Sequence, residues 1–112
     1  MRKNPLLEAQ PYPVEQALHK LGANLRTARL RRGITIEEAA AKIGTGPRPV
    51  SDAEHGKSNT GIAVYAALLW LYDLLGPFED LANPGKDEQG LILASRREPT
   101  RARRSRGLNN DF

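Results

Sequence analysis

Residues 33–56 read GITIEEAAAKIGTGPRPVSDAEHG, and the placement of their glycines, prolines and small apolar residues decides the fold. Thr35 has Glu38 three residues on, the spacing of a capping box, in which a hydroxyl and a carboxylate each take an amide that a helix start leaves unpaired. Ile36, Ala39, Ala40 and Ile43 recur at intervals of three and four, an apolar stripe along one helix. The two alanines leave room for another helix to come close. Gly44 stops this helix, and the turn closes at Gly46. A second helix then runs to His55, with Gly56 beyond it. Pro47 and Pro49 fall in its first turn, where amides have no intrahelical partner and proline costs little. No proline follows between Val50 and His55.

Upstream, helical spacing begins at Val14 and continues through Leu18, Leu21, Leu25 and Ala28. Arg26, Arg29, Arg31 and Arg32 crowd its C-terminal end, where the helix dipole favours cations, and Gly33 ends it. Residues 1–13 hold Pro5, Pro11 and Pro13 without periodicity and read as a flexible, extended arm. Downstream, Thr60 is expected to cap a helix containing Ile62, Val64, Tyr65, Leu68, Leu69, Trp70, Leu71, Leu74 and Leu75. It is apolar nearly all round, and Tyr65 and Trp70 are expected in the core. Pro77 to Leu81 reads as a short fifth helix, ended by the turn Asn83-Pro84-Gly85. The run Leu91-Ile92-Leu93-Ala94 is too short to assign to strand or helix. Residues 95–112 are Arg-rich, lack an apolar period and are expected to be disordered alone. The expected fold is all-α: a flexible arm over 1–13, a five-helix domain over 14–83 and an extension over 84–112.

Composition narrows the function. With 112 residues there is room for one compact domain and little more. Cysteine is absent, so disulfides and thiolate metal sites are excluded. No run approaches the roughly 18 apolar residues of a membrane span, and a cytoplasmic protein is expected. His19 and His55 have no ligand partners nearby in sequence, so no metal is expected. The acidic pairs Glu37-Glu38, Glu79-Asp80 and Asp87-Glu88 are sequence neighbours, which point in different directions on a helix. With no phosphate loop and no nucleophile paired to a base, neither a cofactor nor an enzyme activity is expected.

The net charge of +4 is unevenly placed. Residues 1–95 carry eleven Lys or Arg against eleven acids, whereas residues 96–112 carry six Arg against Glu98 and Asp111. The tail is therefore a separate cationic segment, suited to phosphates or to an acidic partner protein.

Two short helices about a glycine-bearing turn make a helix-turn-helix, in which the second helix enters the DNA major groove with its N-terminal turn leading. The pattern LR-AR---G-T--E-A--IG-----VS--E-G, from Leu25 to Gly56, is spread over three helices. Residues 21–75 resemble the Cro/phage-repressor (XRE-type) family, whose fold is a lambda-repressor-like helix-turn-helix domain. The continuation YAALLWLYDLLGPFEDLANPGKDEQGLILASRR, residues 65–97, is similar to HipB-type antitoxins.

The resemblance implies double-stranded DNA as a partner, an inverted-repeat operator, a homodimer that represses its own operon, and a HipA-like serine/threonine kinase toxin. It implies that Thr35 and Ile36 start the helix that meets phosphate. Thr45, Gly46, Pro47, Arg48, Ser51 and Asp52 match the recognition positions, and Lys57, Ser58 and Asn59 match the loop at flanking phosphates. Arg29 and Glu54 match a structural ion pair. Leu69, Leu74, Leu75 and Phe78 are candidates for the dimer interface, because two half-sites need two subunits. Two departures stand out. Pro47 and Pro49 occupy places where the family usually carries Gln, Ser or Arg. Asp52 repels phosphate, and either accepts from cytosine N4 or orients Arg48 four residues earlier. Arg48 is left as the strong base reader. Two further readings stay open: a stand-alone regulator with no toxin partner, and a protein-interaction module that has lost base reading.

Overall fold

The computed structural model describes residues 4–105. Its regular structure is entirely helical, with no strand among the described residues. The helices are α1 (Pro5–Glu8), α2 (Tyr12–Arg31), α3 (Ile36–Ile43), α4 (Pro47–Glu54), α5 (Ile62–Leu71), α6 (Leu75–Glu79) and α7 (Glu88–Ser105). The chain divides between Glu79 and Asp80 into two compact units. No helix among the described residues is long and apolar enough to cross a membrane.

In the first unit, α2, α3, α4 and α5 surround one core of Leu25, Ala28, Ala39, Ala40, Val50, Ala53, Tyr65, Leu68 and Tyr72. Leu18, Leu21, Ile36 and Ile43 pack against its edge. Burying Leu25, Val50 and Leu68 contributes roughly 1.5–3 kcal/mol each. The alanines contribute less in area and more in geometry, since they let α3 and α4 approach closely. Gly44 ends α3 in the left-handed region at φ 84°, which glycine enters without steric cost. The amide of Thr45 then donates back to Ala40 O at 2.9 Å, closing the turn.

A second close approach joins α2 to the end of α4. A Cβ on Gly22 would stand 2.6 Å from Ala53 O and 2.8 Å from Gly56 N. One on Gly56 would stand 2.5 Å from Leu18 O. Backbone meets backbone here, so the end of α4 is seated directly on α2.

Several expectations need correction in this unit. The proline-bearing start is not simply extended. Asn4 caps α1 by accepting from the amide of Leu6, and α2 begins at Tyr12, two residues before Val14. The fixed φ of Pro13 suits a first helical turn as well as it suits an extended arm. Thr60 does not cap α5; Gly61 holds that position, because the amide of Thr60 closes a turn onto Lys57 O at 3.2 Å. The fifth helix of the domain lies at Leu75–Glu79 rather than at Pro77 to Leu81, again with proline tolerated in a first turn. Trp70 is not core: it is 61% exposed, whereas Tyr65 is 4% exposed.

The second unit opens at Asp80, and the Asn83 side chain accepts from Gly85 N and donates to Asp80. Asp80 also pairs with Lys86, and these two partners hold its carboxyl below the ordinary value. Asp87 Oδ1 then accepts from Gly90 N at 3.0 Å, capping the start of α7. The run 91–94 is helical, and the helix continues to Ser105 in place of the expected disorder. Alanine and arginine are strong helix formers, so a segment without an apolar period still forms a helix. Residues 1–3 of the arm and 106–112 of the tail lie outside the described residues.

Candidate nucleic-acid interface

Helices α3 and α4 flank the turn Gly44–Gly46, and α4 leads with Pro47 and Arg48. The reason for this orientation lies beneath the helix. Val50 and Ala53 are fully buried, which turns Arg48 and Ser51 outward. Glu54, one turn further on, is also buried, at 8% exposure. It meets Arg29 in a two-pronged pair, Nε to Oε2 at 2.7 Å and Nη2 to Oε1 at 3.0 Å. The third arm of the same guanidinium donates to Ile34 O at 3.0 Å. Arg29 thus ties α2, the entry to α3 and the end of α4 together. The Glu54 hydrogen bond raises the arginine pKa further. Removing one partner would strand a buried charge, at a cost of about 3–5 kcal/mol.

Arg48 has an 82% exposed side chain. Its Nε lies 3.6 Å from Asp52 Oδ1, and Lys57 Nζ lies 3.4 Å from the same oxygen. Asp52 is therefore flanked by two cations, and the trio carries a net positive charge. An ion pair at this i, i+4 spacing is what the second of the two roles open to Asp52, the orienting of Arg48, calls for. Lys57, Ser58 and Asn59 follow in the loop, with Lys57 and Asn59 exposed. The Lys57 carbonyl is fixed from behind by Tyr65, whose hydroxyl donates to it at 3.0 Å.

Comparison with protein-family models matches residues 20–81 to the family described as helix-turn-helix domain. The chain belongs to that family. Neither the comparison with curated proteins nor that with solved structures returned a match.

Within the helix-turn-helix domain, the starts of α3 and α4 are each set against phosphate in a different way. In α4 the first and third positions are proline, leaving Arg48 as the amide donor of the first three residues. The α3 start is complete as a capping box: Glu38 N donates to Thr35 Oγ1 at 3.0 Å and Thr35 N donates to Glu38 Oε1 at 2.7 Å. The Thr35 hydroxyl keeps its own proton to donate. Yet Glu37 and Glu38 in that first turn oppose an incoming phosphate. The Thr45 hydroxyl donates to Gly46 O at 2.9 Å and so braces the turn. Ser51 and Asp52 are half-buried, while Gly46, Pro47 and Arg48 are exposed.

Three features are not evident from the sequence. Arg32, grouped there with Arg26 and Arg31 at the end of α2, is structural. It donates to Ala28 O at 2.9 Å and Tyr72 O at 2.8 Å, and lies 5.4 Å from the centre of the Tyr72 ring. It thereby closes the C-terminal end of α5. Gly22, in the middle of α2, sits there because the backbone at the end of α4 comes too close for a Cβ. His19 and His55, thirty-six residues apart in sequence, line one cleft with Gln10, Lys57, Ser58 and Asn59. The His55 Nδ1 is 2.7 Å from Ser51 O, which holds its ring against α4.

Proposed function

We propose that this chain is a sequence-specific transcriptional repressor, not an enzyme, that binds an inverted repeat as a homodimer in the cytoplasm. The observation that carries the DNA reading is Arg48: a guanidinium exposed at the leading turn of α4, steadied by Asp52 from the same helix. Its planar fork suits O6 and N7 of guanine. Lys57 and Asn59 stand one loop away, in reach of a phosphate. The dimer brings two such helices to successive half-sites, and repression follows from occupying promoter DNA. Leu74 is 43% exposed, Leu75 and Phe78 are half-buried, and Leu69 packs partly on the core; exposed Trp70 joins them as a candidate contact between subunits.

The biological setting we propose is that of an antitoxin controlling its own operon and restraining a HipA-like serine/threonine kinase. Its support is the similarity of residues 65–97 to HipB-type antitoxins. Two experiments test the proposal in parts. Electrophoretic shift of the DNA upstream of the coding sequence, repeated over a salt series, should give salt-sensitive binding that a scrambled duplex of equal length does not match. Equal affinity for both duplexes would refute sequence-specific repression, and no binding to either would leave an interaction module. Co-expression with the adjacent gene product should yield a complex containing a kinase; a kinase-like neighbour that stays free would remove the antitoxin role and leave the repressor.

A further inference from the structure

We infer that α7 is a second DNA-contacting element, one that binds duplex phosphates through a face of arginines and reads no bases. The inference rests on the DNA-binding reading above and deepens it. Arg96, Arg97, Arg101, Arg103 and Arg104 all fall within the α7 span. At about 100° per residue their positions occupy an arc of roughly 160°. Glu88 and Glu98, the acids of the same span, take positions on the opposite side. The helix therefore segregates its charge, whereas the same sequence as a coil would mix it.

The helix-turn-helix unit has a deficit that this face meets. Residues 1–79 carry ten Lys or Arg against eight acids, a net charge of only +2. Pro47 and Pro49 deprive α4 of amide donors, and Glu37 and Glu38 shield the start of α3. Phosphate contacts usually supply most of the affinity for DNA, and few donors remain here to make them. Residues 96–112, by contrast, carry six Arg against two acids, a net +4 in a far shorter stretch. Every cation of α7 is arginine, whose fork pairs phosphate bidentately.

Other occupants fit less well. A membrane-surface helix needs large apolar residues opposite its basic face, and residues 96–105 offer Pro99, Thr100, Ala102 and Ser105. A protein partner needs buried apolar anchors. Leu91, Ile92 and Leu93 are about half exposed, but they precede the arginines in the chain.

The test compares the full chain with R96Q/R97Q/R101Q/R103Q/R104Q and with the corresponding five-lysine variant. Each is titrated over a salt series against a duplex selected by the unaltered chain from a random pool, and against a scrambled duplex. The glutamine variant should lose affinity for both duplexes by the same factor, within about 2-fold. Its plot of log affinity against log salt should flatten by about 3–5, at roughly 0.9 for each phosphate no longer neutralised. The lysine variant should keep the slope within about 1 of the parent. An unchanged slope in the glutamine variant would overturn the inference and point to a protein partner for α7. So would a loss confined to the selected duplex, or equal losses in the glutamine and lysine variants. If the unaltered chain bound no duplex from the pool, the DNA-binding reading itself would fall and this inference with it.

Discussion

Arg48 stands at the second position of α4, beside one carboxylate and facing solvent. Arg48→Ala should weaken binding to the selected operator by about 1–3 kcal/mol and relax preference at one base pair per half-site. Affinity for scrambled DNA should barely change, and a competition assay over single-base operator variants would reveal an equal loss on all sequences if the assignment were wrong. Two tyrosines make a contrasting pair. Tyr65 donates to Lys57 O, whereas the Tyr72 hydroxyl is buried with no hydrogen-bond partner among the described residues. Tyr65→Phe should cost about 1 kcal/mol, while Tyr72→Phe should be nearly neutral or stabilising. Burial raises both hydroxyls above their ordinary 10.0, so the folded state holds their protons longer than the unfolded one. Stability from this source is complete below that value and declines as pH rises through the raised folded values. Urea titrations between pH 8 and 11 should show a shallower alkaline decline in Tyr72→Phe than in the parent; identical profiles would dismiss Tyr72 as a contributor.

At the scale of elements, the seam between α2 and α4 is the sharpest constraint. Alanine is a better helix former than glycine by about 1 kcal/mol, and on propensity alone Gly22→Ala would stabilise α2. The new Cβ would instead meet three backbone atoms at 2.6–2.8 Å, none of which can swing aside. We expect net destabilisation of about 1–3 kcal/mol, read as a lower urea midpoint at unchanged slope; a midpoint at or above the parent's would show that the seam yields. The legibility of the elements follows the same physics. Helices α3 and α4 can be read because capping residues, prolines and Gly44 punctuate them and because their apolar residues lie on one face. In α5 nearly every residue is apolar, so periodicity holds no information about which side is buried, and an exposed Trp70 looks like a core residue. For α7 the guide fails differently: lack of an apolar stripe suggests lack of a helix, although Asp87 and Gly90 form a cap and arginine favours the helical state. The pairing of Arg29 with Glu54 is accessible only through family pattern, since nothing in the spacing of two residues twenty-five apart places them together.

For the whole molecule, the proposed repression depends on two copies. The outward side of α5 runs from Ile62, 71% exposed, through Ala63 and Ala66 to Trp70, 61% exposed, and α5 bears no charge. In an antiparallel arrangement crossing at Ala66, Trp70 of each copy would meet Ile62 of the other, the self-complementarity that a two-fold interface requires. Trp70→Glu should therefore shift the chain toward monomer in light scattering at micromolar concentration and weaken operator binding. Its thermal midpoint should change little, because the side chain is mostly outside the fold. An unchanged mass would exclude this face from the dimer. Base choice by α4 and phosphate affinity from α7 would then be separable properties, one altered at Arg48 and the other along the last helix.

The backbone seam at Gly22 and Gly56 has one more consequence, for how this protein can change. Where side chains separate two helices, each core substitution that alters volume slides one helix past the other and re-aims whatever it carries. Here the C-terminal end of α4 rests on main-chain atoms, and Arg29 bolts that same end through Glu54. Exchanges at Leu18 and Leu21, on the edge of the core, can therefore tune stability while the end of α4 stays seated, so robustness and operator preference are free to drift apart.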